Sequence, residues 1–143
     1  MLEEFELQIR VEYNQTDGQG RVHHAQYLNY FERGRVEMLR ASGHCYKALE
    51  SSGLMLVVSQ IKVRYLLPAE FDDVLSLRIR VLSARGARLE HRYQLFRGLE
   101  LLVEAETEIG CIDRQGKVRR LPAHLQWRSS KGQSQETADG FSG

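Results

Sequence analysis

A chain of 143 residues is the size of a single domain, and its net charge of +1 gives no electrostatic bias toward nucleic acid or a membrane surface. No apolar run approaches the ~18 residues a membrane-spanning helix needs, and the start, Met1-Leu2-Glu3-Glu4, is acidic and lacks a hydrophobic leader. Cys45 and Cys111 have no ligand-like spacing to histidines, which disfavours zinc and fits two buried thiols in a reducing compartment; the expectation is a cytoplasmic protein without metal.

Phe5, Leu7, Ile9, Val11 and Tyr13 alternate with Glu4, Glu6, Gln8, Arg10 and Glu12, the period of a strand with one buried face. A polar, glycine-bearing stretch follows, Asn14-Gln15-Thr16-Asp17-Gly18-Gln19-Gly20-Arg21-Val22-His23-His24. From Ala25 to Ala41 the bulky residues Leu28, Phe31, Met38 and Leu39 recur mostly at helical spacings, with Glu32, Arg33 and Glu37 polar. Gly34 in mid-helix fits a helix lying close to a strand, and Gly43 suits a left-handed C-terminal cap. A short helix, Cys45 to Ser51, is expected next, closed by Gly53.

Strands follow. Leu56 and Val58 share one parity while Ile61, Val63, Tyr65 and Leu67 share the other, which predicts a β-bulge at Ser59-Gln60. Pro68 ends this strand and Asp72-Asp73 marks a turn. Leu75, Leu77, Ile79 and Val81 alternate with Ser76, Arg78 and Arg80. Arg85-Gly86 then connects to Leu89, His91, Tyr93 and Leu95. After Arg97-Gly98, Leu101, Val103, Ala105, Thr107, Ile109 and Cys111 alternate with Leu102, Glu104, Glu106 and Glu108. A last short strand is expected at Lys117 to Leu121, and Ser129 to Gly143 reads as a disordered tail. The layout is α+β: one strand, one long helix, then long strands of an antiparallel sheet, three of them joined by short turns, in a single domain over 1–128.

The chemistry concentrates where the first strand meets the helix. Asp17 and His24 stand before a helix N-terminus, where unpaired N–H groups and the dipole stabilise negative charge. An aspartate in such a loop is also a common turn or capping residue, and a histidine there an ordinary cap. His91 shares its face with Leu89 and Tyr93 and reads as a satisfied core or interface histidine.

The pattern Tyr13-x-x-Thr16-Asp17-x-x-Gly20-x-Val22-x-His24-Ala25-x-Tyr27, followed by Phe31-Glu32-Arg33-x-Arg35-x-Glu37-Met38-Leu39, resembles the hotdog-fold thioesterases of the 4-hydroxybenzoyl-CoA thioesterase-like family. Val63-x-Tyr65-x-x-Pro68-Ala69-x-x-Asp72-Asp73, Arg85-Gly86 and Cys111-x-Asp113 extend the resemblance over roughly residues 4 to 125. His24-Ala25-x-Tyr27 is closest to the acyl-CoA thioesterases associated with the Tol-Pal cluster; members acting on hydroxybenzoyl-CoA tend to carry Tyr and Pro at these two positions. Gln19, Arg21 and His23 depart from the small, apolar and aromatic residues usual there.

The resemblance implies an antiparallel sheet wrapped around one long helix, and hydrolysis of an acyl-CoA to free acid and coenzyme A. Asp17 would attack the thioester or activate water, a backbone N–H near His24 would receive the oxyanion, and Tyr13 would orient the carboxylate. The His24 side chain would bond substrate or Asp17, and His23, Ala25 and Tyr27 would line the pocket. Arg85, Gly86 and Arg88 would meet the coenzyme phosphates, with Lys117, Arg119 and Arg120 as a further basic cluster. Glu32 and Glu37 are left as helix-face or interface residues. No cofactor is expected beyond the coenzyme A of the substrate, and no nucleic-acid partner. The resemblance implies a homodimer or homotetramer joined through sheets edge to edge, with the site between subunits. Two alternatives share the fold: a non-catalytic acyl-CoA-binding module, and an acyl-thioester hydratase or dehydratase.

Overall fold

Long alternating runs with one apolar face pair into a single sheet. The computed structural model describes residues 2–127, so the tail expected at 129–143 lies outside the described residues. Strands β1 (Glu4–Arg10), β2 (Leu54–Tyr65), β3 (Val74–Arg85), β4 (Arg88–Arg97) and β5 (Glu100–Asp113) lie in the order β1-β3-β4-β5-β2, every neighbour antiparallel. Helix α1 (Gln26–Ala41) covers one face and a short α2 (Tyr46–Ser51) follows it. Gly43 at φ +91° and Gly53 at φ +93° close the two helices as expected.

The inner face carries Leu75, Leu77, Ile79, Val81, Leu89, Tyr93, Leu95, Val103, Ala105, Ile109 and Cys111, all buried. Against it α1 presents Tyr27, Tyr30, Phe31, Gly34, Met38 and Leu39, with Phe31 stacked on Tyr93 at 4.6 Å. A Cβ on Gly34 would land on the side chains of Ile79 and Leu77, so the missing side chain lets the helix approach β3. Leu28 is exposed, because Tyr27 and Tyr30 take the inward stripe expected of it.

The outer face is a set of charged columns. Glu6 meets Arg78 at 3.5 Å, Arg92 meets Glu106 at 2.9 Å, Arg88 meets Glu108 at 2.7 Å and Arg64 meets Glu104 at 3.3 Å. Where solvent reaches them such pairs are each worth only ~0–1 kcal/mol, but together they oppose a slip of register. The bulge expected in β2 falls between Val58 and Gln60. A second lies between Leu95 and Phe96, where β4 pairs with β5; it turns Leu102 inward and leaves Leu101 half-buried, the reverse of strict alternation.

Residues 117–121 form no strand. Asp113 N–H donates to Lys117 O at 2.9 Å and Arg119 N–H to Cys111 O at 2.9 Å, but pairing stops at one isolated bridge, Ile112 to Val118. The chain continues as a strap. Leu121 N–H donates to Gly86 O at 2.7 Å, Leu121 and Leu125 are buried, and Trp127 bridges Ala84. Cys111 is buried, whereas Cys45 is only half-buried at the start of α2.

Candidate active site

The segment after β1 leaves the sheet before Tyr13. Val11 N–H still donates to Asp73 O at 2.9 Å, then Glu12 and Gln15 form a reciprocal cap around a 3-10 turn over Tyr13–Gln15. Tyr13 therefore does not extend the inward face: it is 75% exposed and rests edge-on against Phe71 at 5.5 Å. It makes no hydrogen bond to Asp17; its own carbonyl accepts from the Thr16 hydroxyl at 2.7 Å.

Thr16 bridges Val22 and pins the base of a tight loop, with Asp17 one residue beyond the pin on one side and His23 on the other. Asp17 N–H donates to Arg21 O at 2.7 Å, and Gly20 at φ +82° makes the turn. Asp17 Oδ1 accepts from the N–H groups of Gln19 at 2.8 Å and Arg21 at 3.1 Å. Backbone thus orients the carboxylate, the task assigned to Tyr13 from sequence. The Gln19 and then the Arg21 N–H hold its pKa below the ordinary carboxylate value, with smaller help from His23 and Arg21 charge. Asp17 is exposed and ionised, and its Oδ2 accepts no bond from a described residue.

The exit of the loop feeds α1. His23 N–H donates to Gln15 O at 3.1 Å and Gln26 N–H to His23 O at 2.9 Å, but the intervening His24 and Ala25 N–H groups have no partner among the described residues. Two adjacent unpaired donors at a helix N-terminus can receive an oxyanion. The His24 imidazole does not meet Asp17; it lies against the Tyr65 ring at 4.7 Å, and the Tyr65 hydroxyl donates to His24 O at 3.1 Å. Tyr27 is buried, and its hydroxyl accepts from Ala69 N–H at 3.1 Å. His23 and Ala25 are exposed beside the loop. In the sequence Tyr65 is a member of one strand parity and a landmark of the family pattern, and nothing local shows its contact, which spans 41 residues.

The turn residues proposed for the coenzyme lie elsewhere in the chain. Arg85, Gly86 and Arg88 sit at the opposite end of β3 and β4, roughly 35 Å along the strands from the loop at ~3.3 Å per residue. Arg88 is paired with Glu108, and Gly86 O already accepts from Leu121. Arg119 is held by Asp113 Oδ2 at 2.8 Å. Glu37 pairs with Arg40 and Glu32 is exposed. At that same far end an apolar groove of about 850 Å³ is lined by Arg40, His44, Cys45, Leu49, Leu54 and His124.

His91 is buried but not satisfied: its Nδ1 has no partner among the described residues, and it borders a cavity of about 20 Å³ with Arg35, Ser42 and Tyr46. Arg35 donates to Tyr93 Oη at 2.9 Å, and Tyr93 Oη meets Thr107 Oγ1 at 2.6 Å. Among the described residues no cluster of three or more His, Cys, Asp or Glu could hold a metal ion, and no helix is long and apolar enough to cross a membrane.

Residues 11–128 match the family described as the Thioesterase-like superfamily. The chain is 37% identical over 123 residues to the acyl-CoA thioester hydrolase YbgC of Escherichia coli O6:H1, covering 85% of this chain and 92% of that protein. It is 34% identical over 110 residues to the acyl-CoA thioesterase YbgC of Haemophilus influenzae, covering 76% and 81%. The crystal structure of a probable thioesterase from Bartonella henselae superposes with a TM-score of 0.78 at 38% identity, over 83% of this chain and 99% of that one. The sheet around α1 is the hotdog fold of these thioesterases.

Proposed function

Because the chain belongs to the Thioesterase-like superfamily, we propose that it hydrolyses an acyl-CoA thioester to free acid and coenzyme A, with Asp17 carrying the reaction. The observation that supports this most is the loop itself. One carboxylate oxygen is fixed by two N–H groups, the other is unencumbered, and two unpaired N–H groups stand at the start of the following helix. Asp17 takes a proton from water as hydroxide adds to the thioester carbon, or attacks that carbon itself to form a mixed anhydride that water then opens. In either case the carbonyl oxygen gains charge beside His24 and Ala25, the C–S bond breaks, and the thiolate leaves and takes up a proton. One oxyanion donor is worth ~3–4 kcal/mol. Within the family, the motif His24-Ala25-x-Tyr27 favours the Tol-Pal-associated branch.

The working unit is a pair of chains. Strand β2 is a sheet edge that exposes Val57, Val58, Ile61 and Tyr65. Antiparallel pairing of two such edges about Ser59-Gln60 would set the Leu54 end of one strand beside the Tyr65 end of the other. The groove and the Arg85-Gly86-Arg88 turn of one copy would then approach the Asp17 loop of its partner, for acyl chain and phosphates respectively. Two free cysteines favour the cytoplasm as the setting.

The test is thiol release from short, medium, long and aromatic acyl-CoAs by wild type and Asp17→Asn. Turnover of at least one substrate, with a loss of ~100-fold or more in the variant, is expected. Binding of acyl-CoA without thiol release from any substrate would replace the reading with a binding module.

A further inference from the structure

We infer that Tyr65, at the end of the edge strand β2, is a positioning residue that sets the direction of the Ala25 N–H, one of the two oxyanion donors at the start of α1. The inference rests on the thioesterase reading of the Asp17 loop.

The peptide between His24 and Ala25 has an unequal set of partners. Its carbonyl accepts the Tyr65 hydroxyl at 3.1 Å, while its N–H, on Ala25, is unpaired, as is the N–H of His24 before it. On either side the chain is tied, by His23 N–H to Gln15 O and by Gln26 N–H to His23 O. Between those ties, among the described residues, the His24 carbonyl is held by Tyr65 and the Ala25 carbonyl by Leu28 N–H at 3.1 Å as the helix begins. A trans peptide is planar, with N–H and C=O pointing in opposite directions, so holding the oxygen fixes where the Ala25 N–H points. Accepting a hydrogen bond at the oxygen also polarises the N–H into a better donor.

Tyr65 is itself held. Its ring lies at 4.7 Å on the His24 imidazole and 5.5 Å edge-on to Tyr27, whose hydroxyl takes the Ala69 N–H. Desolvation raises the phenol pKa above its ordinary value, so the hydroxyl is a protonated donor throughout the neutral range. The arrangement ties the donor peptide to β2, the strand that the proposed pairing of copies would cover. The phenol does not touch the reacting atoms; it acts through the peptide it holds.

Tyr65→Phe separates this role from packing, because it keeps both ring contacts and removes only the hydroxyl. Expected for Tyr65→Phe are a kcat lower by roughly tenfold, less than the 10²–10³ for deleting a donor outright, with KM within about twofold of wild type and an unchanged melting temperature. The Ala25 amide resonance in a ¹H–¹⁵N spectrum should shift upfield and broaden in the variant. A Tyr65→Phe protein with wild-type kcat and an unmoved Ala25 resonance overturns the inference, as does a rise in KM alone. If wild type releases no thiol, the thioesterase reading falls by itself, and the Ala25 resonance still decides whether Tyr65 holds the peptide. Tyr65→Leu, which loses the ring as well, should lower both kcat and melting temperature, marking what a packing defect looks like.

Discussion

Acid should destabilise this protein through His91. Burial, and then the Arg35 guanidinium, push the imidazole pKa from 6.5 down to about 3. The groups facing it are Arg35 from α1, Tyr46 from α2 and Tyr93 from its own strand, and no carboxylate lines the cavity. The folded protein holds His91 neutral while the unfolded chain takes up a proton below pH 6.5. Stability is therefore full above that pH and falls as pH drops toward 3. Each pH unit in the window costs about 1.4 kcal/mol, or about 5 kcal/mol in all, a large share of the ~5–15 kcal/mol that typically holds a domain together. Urea unfolding of wild type and His91→Leu at pH 7.5, 6, 5 and 4.5 measures this, with equal m-values as the check on two-state behaviour. The leucine also removes a buried nitrogen that lacks a partner, so it should cost little at pH 7.5. His124, whose pKa is also lowered by desolvation, is present in both proteins and cancels. Parallel stability curves for the two proteins between pH 6 and 4.5 would refute the reasoning.

Gly34→Ala should destabilise by about 1 kcal/mol, since overpacking against Leu77 and Ile79 costs ~1–3 kcal/mol and the helix gains ~1 kcal/mol from alanine; a chemical denaturation series showing a more stable variant would remove the close-approach argument. Val58→Lys combined with Ile61→Lys should shift the sedimentation coefficient toward a single chain and lower thiol release at least tenfold, roughly the fall when half of a composite site is lost. A full-size, fully active variant would move the association surface off β2.

The sequence made local rules visible wherever a local rule decided. Parity alone located the bulge at Ser59-Gln60, because a switch of inward face in one strand has no other simple cause. Gly34 and Gly43 were legible because their residue type answers to one constraint each, close packing and a left-handed cap. Tyr13 misled because alternation cannot show that Glu12 and Gln15 will cap a turn and end the strand early. Leu102 misled because its bulge is created by pairing with β4, not by anything in β5. For residues 117–121, Asp113 takes the Lys117 N–H with its side chain at 3.0 Å, a competitor to the ladder that propensity does not weigh. In the candidate site, Asp17 and the helix start were readable because they are neighbours in the chain. Backbone orientation of the carboxylate, and Tyr65 on the His24 carbonyl, depend on three-dimensional closure. So does the long separation of Arg85, Gly86 and Arg88 from the loop.

The order of strands also sets a timetable for synthesis on the ribosome. Strand β2 pairs only with β5 in the single chain, and the whole of β3 and β4 is made between them. At ~5–20 residues per second, β2 waits several seconds with both edges open and Leu54, Leu56 and Val63, which pack against the core of the finished fold, unshielded. The strap that seats Leu121 and Leu125 and covers Gly86 O is made later still. A nascent chain stalled before β5 is thus a natural client for a chaperone that grips apolar strands, and release should coincide with arrival of the glutamate-rich strand that β2 has been waiting for.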